Sequence, residues 1–142
     1  MFYYTDSFGP DRNALGAAIT RTLQLGQQTL EAVIASHQLA NFEGSIISRF
    51  LSPTQYAVFH SSRAVTLNNV KVYMMTERNE VPDFDKGPVL AMHVSLKYLM
   101  KLMDDPRATH IIFVPWDERE RDSFRADNPT AIAIPFSPDP GD

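Results

Sequence analysis

Three apolar runs, separated by two polar segments, most constrain what this chain can fold into. The runs are Pro88–Val94, His110–Pro115 and Thr130–Phe136. The middle run is unbroken and rich in β-branched residues, which is typical of a strand buried on both faces. The segments 95–105 and 117–125 between them have helical patterns. Because a strand–helix–strand connection of this length is usually a right-handed parallel crossover, the sequence predicts a parallel unit of three strands and two helices.

The first of these helices has clear signals at both ends. Ser95 is a suitable N-cap, and Asp105-Pro106 ends the helix because the residue before proline avoids helical backbone angles. Apolar residues recur at the spacing i, i+3, i+4, i+7, which forms one stripe along a helix. The stripe consists of Leu96, Leu99, Met100 and Met103.

The N-terminal part of the chain predicts one long helix. Phe2–Thr5 is interpreted as a short edge strand or an anchored terminus. From Asp11 to about Ala40 the pattern is helical, with Leu25–Gln27 as a kink or a break into two helices, and Asn41–Gly44 is a plausible stop. The predicted stripe consists of Leu15, Ile19, Leu23, Leu30, Val33 and Ile34.

The middle of the chain predicts a strand, a helix and a hairpin. Ser45–Leu51 is interpreted as a short strand. Ser52, Pro53 and Gln55 then form a capping-box pattern that starts a helix to about Ser61. A strand over Gln55–His60 is the alternative.

Two further strands follow, and they are predicted to form a hairpin. They are Ala64–Leu67 and Val70–Thr76, joined by Asn68-Asn69, since asparagine tolerates the positive φ of a two-residue turn. We therefore predict one α/β domain over residues 1–136, with the parallel unit at 87–136. It combines a long N-terminal helix with a mixed, partly parallel sheet of about five strands and flanking helices. Residues 137–142 are predicted to be a flexible tail.

Composition excludes several kinds of protein. The chain has 142 residues, 44% of them hydrophobic, and no cysteine, which excludes disulfides, thiolate metal ligands and a cysteine nucleophile. Its N-terminus has no basic region followed by a long apolar stretch, and no run approaches the roughly 18 residues of a membrane helix. A cytoplasmic protein that does not bind membranes is expected.

The charge distribution argues against nucleic-acid binding. The formal net charge is −4. Residues 1–75 contribute five Lys/Arg against four Asp/Glu, or +1, and residues 76–142 contribute eight against thirteen, or −5. A phosphate backbone requires clustered positive charge, and no such cluster is present. The acidic C-terminal half is suited to a basic partner or a cation, although solubility alone also explains it.

The strand ends of the parallel unit carry the residues of a possible active site. In open parallel sheets, ligands bind at the carboxyl ends of the strands. His93, Ser95 and Asp117 follow strands there and would supply a base, a nucleophile and an orienting carboxylate to a small hydrolase. Against this hypothesis, the chain has no Gly-x-Ser-x-Gly elbow, Ser95 also suits a helix cap, and a histidine inside an apolar run is typically a buried one.

The same strand ends also predict a binding surface. Trp116, Asp117 and Glu118 follow the second strand of the unit, and Trp116 is the only tryptophan, suited either to anchoring a partner or to covering the core. Glu77 and Arg78 join this surface only if Val70–Thr76 runs parallel. The acidic residues before the first strand of the unit are expected at the opposite edge of the sheet, and these are Asp83 and Asp85.

Other candidate features have simple structural explanations. The charged run Asp117–Asp122 suits either a cation site or a docking surface. In the cation site, Asp117, Glu118 and Glu120 would supply the carboxylates. An ordinary solvated helix face explains the run equally well. His60–Arg63 would suit an anion only weakly because it lacks glycine. The histidines show no metal-ligand spacing and no phosphate-binding loop is present, so no metal site and no cofactor are predicted.

Methionines concentrate in the middle of the chain, where they suit core packing or, with nearby aromatic residues, an exposed apolar patch. These residues are Met74, Met75, Met92, Met100, Met103, Tyr73, Tyr98 and Phe113. With no catalytic motif of specific pattern, the sequence predicts a non-enzymatic protein-interaction or adaptor-type protein, self-associating as a homodimer. The hydrolase-like enzyme is the alternative, and whether the chain is an enzyme stays open.

Overall fold

A mixed sheet runs through the middle of the molecule. The computed structural model describes residues 1–9, 11–36, 51–78 and 80–137. In chain order the elements are β1 (Phe2–Tyr4), α1 (Arg12–Gly26), β2 (Glu31–Ser36), α2 (Pro53–Ser62), β3 (Ala64–Leu67), β4 (Val70–Thr76), β5 (Gly87–Met92), α3 (Leu96–Met103), β6 (Ala108–Val114), α4 (Glu118–Asp127) and β7 (Ile132–Ala133). Within the described residues, seven strands lie in the order β3-β4-β2-β5-β6-β1-β7. All neighbours are parallel except β3 and β4.

Helices cover both faces of the sheet, which confirms the predicted α/β class. One face packs against α1 and α2 through residues such as Leu15, Ile19 and Phe59. The other face packs against α3 and α4 through Leu99 and Phe124. Because neighbouring side chains of a strand point to opposite faces, the central strands are apolar almost throughout, as a sheet covered on both faces requires.

The predicted strand–helix–strand–helix–strand unit is present as β5-α3-β6-α4-β7. Ser95 caps α3 and Asp117 caps α4, each through its side chain. The predicted stripe of α3 was wrong at one position, because Met100 is 64% exposed. Tyr98, Leu99 and Leu102 are the buried residues of this helix.

The prediction of one helix from Asp11 to about Ala40 was wrong over residues 27–36, and residues 37–40 lie outside the described part of the chain. The helix ends at Gly26, and β2 begins at Glu31 after Leu30, which has a left-handed backbone with φ of 62°. β2 pairs with β4 on one side and β5 on the other, and nearly all of it is buried. Leu15, Ile19 and Leu23 of the predicted stripe lie in α1, whereas Val33 and Ile34 lie in β2 and face opposite sides of the sheet. Leu30 is 54% exposed.

The first strand lies inside the sheet and not at its edge. β1 pairs in parallel with both β6 and β7, and its Tyr3 and Tyr4 are buried. β1 and β2 thus bring the number of strands in the described residues to seven, against the expected number of about five. The predicted strand at Thr130–Phe136 is present only as the two-residue edge strand β7.

The middle of the chain matches the prediction where the structure describes it. Ser52 accepts a hydrogen bond from Gln55 N, and Gln55 Oε1 accepts one from Ser52 N, so the capping box is complete and the alternative strand was wrong. The hairpin turn has φ of 51° at Asn68 and 68° at Asn69. The predicted stop at 41–44, most of the predicted strand at 45–51 and the tail beyond residue 137 lie outside the described residues.

The segment between β4 and β5 crosses from the carboxyl edge to the amino edge of the sheet and is fastened there. Glu31 Oε1 accepts hydrogen bonds from the backbone N–H groups of Asp85 and Lys86, at 2.8 and 3.1 Å. Arg107 donates to the carbonyls of Val81 and Phe84. Asp85 thus lies at the amino edge, as expected.

Arg107 also forms a two-bond ion pair with Asp105, at 3.0 and 2.8 Å. The hydrogen bonds from Arg107 lower the pKa of the Asp105 carboxyl.

None of the described helices is both long and apolar enough to cross a membrane.

Candidate functional site

Within the described residues, the carboxyl ends of six parallel strands meet along one edge of the sheet. The pairing places Thr76, Ser36, Met92 and Val114 side by side at the ends of β4, β2, β5 and β6. Since β4 runs parallel to β2, the condition for Glu77 and Arg78 to lie at this edge is met. The predicted surface residues therefore follow strands that end at one edge.

The chain leaves two neighbouring strands of this edge in opposite directions. From β2 it continues to β3 and β4 on one side, and from β5 it continues to β6 on the other. Such a point, where strand order reverses, leaves a crevice at the carboxyl ends in which open α/β sheets bind their ligands. Ser36 and Met92 are paired at this point, and His93 is the next residue.

His93 is held in an unusual conformation directly at this point. Its backbone has φ of 53°, and its N–H donates to the carbonyl of Val114 at 3.0 Å. Its ring packs edge-on against Trp116, with ring centroids 4.9 Å apart. Nε2 is buried and has no hydrogen-bond partner among the described residues. Burial lowers the pKa of His93, which keeps the imidazole neutral near pH 7.

Ser95 and Asp117 are engaged with the backbone at helix starts. Ser95 Oγ accepts from Tyr98 N at 3.2 Å, and Asp117 Oδ1 accepts from Glu120 N at 2.8 Å. The three residues of the hydrolase hypothesis thus lie along one edge. Within the described part of the chain, however, Nε2 of His93 bonds to neither of the other two.

Trp116 and Phe8 are two exposed aromatic residues at the same edge, hereafter the aromatic surface. Trp116 is 51% exposed and Phe8 is 53% exposed. The two are linked because Gly9 N donates to the carbonyl of Trp116. The Arg121 guanidinium lies 5.4 Å from the centre of the Phe8 ring, so one face of that ring is already covered.

The charges around the aromatic surface are of mixed sign. Arg121 contacts three carboxylates, at distances of 3.1 to 3.4 Å, and these belong to Asp6, Glu118 and Asp122. The Glu120 carboxylate accepts from the backbone N–H of Trp116 at 3.2 Å. The charged run Asp117–Asp122 therefore begins α4 and forms ion pairs on the surface. Within the described residues, no group of three or more His, Asp or Glu side chains is placed to hold a metal ion.

Ser36 and Tyr98 belong to this edge and were missed as site residues by sequence reasoning. Ser36 is fully buried and Tyr98 is 4% exposed. Neither Ser36 Oγ nor the Tyr98 hydroxyl has a hydrogen-bond partner among the described residues. An unsatisfied buried polar group costs about 1–3 kcal/mol. Ser36 would have been recognised as a strand end if 31–36 had been assigned as a strand.

The remaining candidates are accounted for by packing. Met74, Met75 and Met92 are buried, as are Tyr73, Tyr98 and Phe113, so within the predicted patch only Met100 is largely exposed. Arg63 ends α2 in a left-handed conformation, with Nη1 at 3.8 Å from the Met74 sulfur. The His60 side chain lies outside the described part of the chain.

The half-buried, neutral side chain of His93 predicts a loss of stability in acid. An unfolded histidine titrates near pH 6.5, whereas the folded pKa of His93 lies below that value. As pH falls below 6.5, the unfolded state binds protons that the folded state does not. We therefore expect stability to be complete above pH 6.5 and to fall below it, by at most about 1.4 kcal/mol per pH unit for one proton.

The substitution His93→Asn tests this expectation, because asparagine tolerates a positive φ. Urea unfolding between pH 5 and 8 should show a shallower dependence on pH in the variant. Burial also lowers the pKa of His110, so His110→Asn is the matched comparison and should remove a separate part of the dependence. Equal slopes in the wild-type protein and His93→Asn would show that His93 does not titrate as described.

Comparison with known proteins gives no relative. No protein-family model, no curated protein and no solved structure matches the chain.

Proposed function

We propose that this chain is a non-enzymatic interaction protein that self-associates through the aromatic surface of Phe8 and Trp116. The observation that carries the proposal is the half-exposed Trp116 ring, which packs against the ring of His93. Tryptophan and arginine are the residue types that most often dominate binding at protein interfaces. An exposed tryptophan, with a second exposed aromatic residue at the same edge, offers such an anchor.

The mixed charges beside the aromatic surface favour a second copy as the partner. Glu118 and Asp122 alternate with Arg119 and Arg125 on α4, and all four are exposed. A twofold axis brings the same patch of each copy together, so arginines of one copy face carboxylates of the other. A uniformly acidic surface would repel the same surface of a second copy, whereas the exposed face of α4 carries charges of both signs.

The hydrolase alternative has less support. Ser95 and Asp117 already accept hydrogen bonds from the backbone as helix caps, and a nucleophile needs a base within hydrogen-bond reach. No contact among the described residues favours this chemistry over binding.

Light scattering coupled to size-exclusion chromatography tests self-association. We expect the wild-type protein to dimerise with rising concentration, and Trp116→Ala to weaken the dimer by about 30-fold or more, since anchor residues contribute roughly 2 kcal/mol or more. Met100→Ala, which removes another exposed apolar side chain, should leave the dimer unchanged. Protein detection by refractive index avoids the loss of absorbance caused by removing the only tryptophan.

Two outcomes would contradict the proposal. One is a wild-type protein that stays monomeric up to several hundred micromolar. The other is a dimer that Trp116→Ala and Met100→Ala affect equally. Thermal unfolding of both variants verifies that each is folded at the temperature of the measurement.

A further inference from the structure

We infer that the pocket between α4 and the strands β1 and β7 binds a free α-amino acid, with its carboxylate held by Arg125 and Tyr4 and its ammonium group held by Asp122. One copy of the chain forms this pocket by itself. The inference is separate from self-association, because neither residue of the aromatic surface lines the pocket.

The pocket lies on the face of the sheet that α3 and α4 cover. Tyr4 contributes from β1, Asp122 and Arg125 from α4, and Asn128 from the connection between α4 and β7. The Tyr4 side chain is buried, and its ring centroid lies 6.0 Å from that of Phe124. The pocket volume of about 420 Å³ is within the range of small-ligand sites. Charged groups and a buried aromatic ring thus line one pocket of suitable size.

The charge of Arg125 is incompletely neutralised. Its Nη1 lies 3.7 Å from Asp6 Oδ1, which is within ion-pair distance but too long for a hydrogen bond. Arg121 Nη1 lies closer to the same oxygen, at 3.4 Å, so Asp6 is shared between two arginines. Among the described residues, the Arg125 guanidinium donates no hydrogen bond. A guanidinium with free donors suits a carboxylate, which it can bind through two parallel hydrogen bonds.

The Tyr4 hydroxyl provides a second donor beside Arg125. The guanidinium carbon of Arg125 lies 5.8 Å from the centre of the Tyr4 ring, and both side chains line the pocket. The hydroxyl forms no hydrogen bond with any described residue, although most of the tyrosine is buried. A phenol and a guanidinium that both have free donors can hold the two oxygens of one carboxylate.

Asp122 places a negative charge in the same pocket. Asp122 and Arg125 are three residues apart on α4, so they are neighbours on one face of the helix. Among the described contacts no ion pair joins them, and each pairs with a different residue. Asp122 Oδ1 accepts from Arg121 Nε at 3.1 Å, which leaves Oδ2 as an acceptor. Because Asn128 donates its amide N–H to the Phe124 carbonyl, its side-chain oxygen is a further acceptor for an ammonium group.

The balance of charge favours a ligand that carries both signs. Two arginines and two aspartates lie in or beside the pocket, so their net charge is zero and a phosphate dianion gains little there. A free α-amino acid carries a carboxylate and an ammonium group on one carbon atom. The other lining residues are small and apolar, and these are Ala126, Pro129 and Ala131. The matching ligand is therefore an amino acid with an apolar side chain.

Isothermal titration calorimetry of the full chain with leucine and phenylalanine tests the site. Isocaproate and hydrocinnamate are the same molecules without the amino group, and isoamylamine and phenethylamine are the same molecules without the carboxylate. We expect saturable binding of at least one amino acid, about 10-fold or more tighter than that of either of its analogues, because each analogue leaves one charged side chain unsatisfied.

Two results of the calorimetry would overturn the inference. One is the absence of saturable binding by both amino acids at millimolar concentration. The other is an analogue that binds as tightly as its parent amino acid, because the pocket would then recognise a single charge.

Conservative variants connect binding to the named groups. Tyr4→Phe, Asp122→Asn and Arg125→Gln should each weaken binding of the amino acid by about 10-fold, since each removes a hydrogen bond to a charged group. Glu118→Gln is the matched control for Asp122→Asn, because Glu118 also contacts Arg121 but does not line the pocket. It should bind normally. Equal losses in these two variants would show that the effect passes through Arg121, which overturns the role of Asp122.

The melting temperature of the ligand-free protein is a second readout for Tyr4. Because the Tyr4 hydroxyl has no partner among the described residues, Tyr4→Phe should melt at the wild-type temperature. Tyr73→Phe is the matched control, since the Tyr73 hydroxyl donates to Glu31, and it should melt about 2–4 °C lower. A Tyr4→Phe protein that melts as low as Tyr73→Phe would show that the hydroxyl is bonded within the protein, which overturns the inference.

Titration of Trp116→Ala separates this inference from self-association. Trp116 does not line the pocket, so this variant should bind the amino acid at least as tightly as the wild-type protein, whether or not the wild-type protein dimerises. All samples are compared at one low protein concentration. Loss of binding in Trp116→Ala would place the amino acid at the aromatic surface, which overturns its assignment to the pocket.

Discussion

Gly87→Ala is expected to lower the free energy of unfolding by about 3 kcal/mol, because the new methyl group has no space. A Cβ atom at Gly87 would overlap the carbonyl oxygen of Glu31, and it would also lie 2.9 Å from the Glu31 carbonyl carbon and 3.0 Å from Thr29 Oγ1. Two of these neighbours are backbone atoms, so they cannot move aside by a change of rotamer. The start of β5 would have to separate from the start of β2.

Urea unfolding followed by circular dichroism measures this effect. Gly9→Ala is the control, because Gly9 has φ of +70° but open space around it. This substitution should lower the free energy of unfolding by only about 1 kcal/mol, through conformational strain. A loss for Gly87→Ala no greater than that for Gly9→Ala would mean that the two strand starts are not in close contact.

Phe113→Ala is expected to lower the free energy of unfolding by about 3–5 kcal/mol, as for other large buried aromatic residues. Phe113 is fully buried next to the carboxyl end of β6, and its ring centroid lies 5.1 Å from that of Phe124. Phe124 is the buried residue through which α4 packs on the sheet. The substitution therefore also loosens α4, the helix that begins next to Trp116.

Two measurements separate the loss of stability from the loosening of α4. Chemical unfolding gives the loss of stability, and the emission of Trp116 in the folded variant should move towards that of a fully exposed tryptophan. Val58→Ala, which shortens a 43% exposed side chain on α2, should change stability by no more than about 0.5 kcal/mol and leave the emission unchanged. A Phe113→Ala protein within 1 kcal/mol of wild type would indicate that the two rings are not packed as described.

The elements that the sequence predicted correctly depend on local signals. The capping box at Ser52, the hairpin at Asn68-Asn69 and the alternation of strands and helices after Gly87 are each set by residues close together in the chain. Such signals act before any tertiary contact forms. For the same reason the starts of α3 and α4 were placed correctly from Ser95 and Asp117.

The second strand could not be recognised from its own residues. Glu31–Ser36 is apolar apart from its two ends, because both of its faces are buried, and Leu30, Val33 and Ile34 by chance fit a helical spacing. Short apolar runs of this kind do not distinguish a buried strand from a helix. The segment is a strand because it pairs with β4 and β5, whose residues are far away in the chain.

The candidate site was predicted in part. The rule that ligands bind at the carboxyl ends of parallel strands placed His93 and Trp116 at one edge of the sheet. Glu77 lies at the same edge because β4 runs parallel to β2. Ser36 was missed because its strand was missed, and Tyr98 was counted only among apolar residues. Whether a buried hydroxyl finds a partner depends on side-chain packing, which no sequence pattern describes.

The interior position of β1 has a consequence for the order in which the fold is completed. During synthesis, β1 is made before every other strand of this sheet, yet its partners β6 and β7, which carry Ile111 and Ile132, are the last two strands of the sheet to be made. Until then the first strand has no neighbour on either side. Contacts between such distant parts of a chain form slowly, because a long loop must close before they contribute. The nascent chain therefore carries Tyr3 and Tyr4 without their partner strands while β2 to β5 are made, and the described sheet is completed around its first strand.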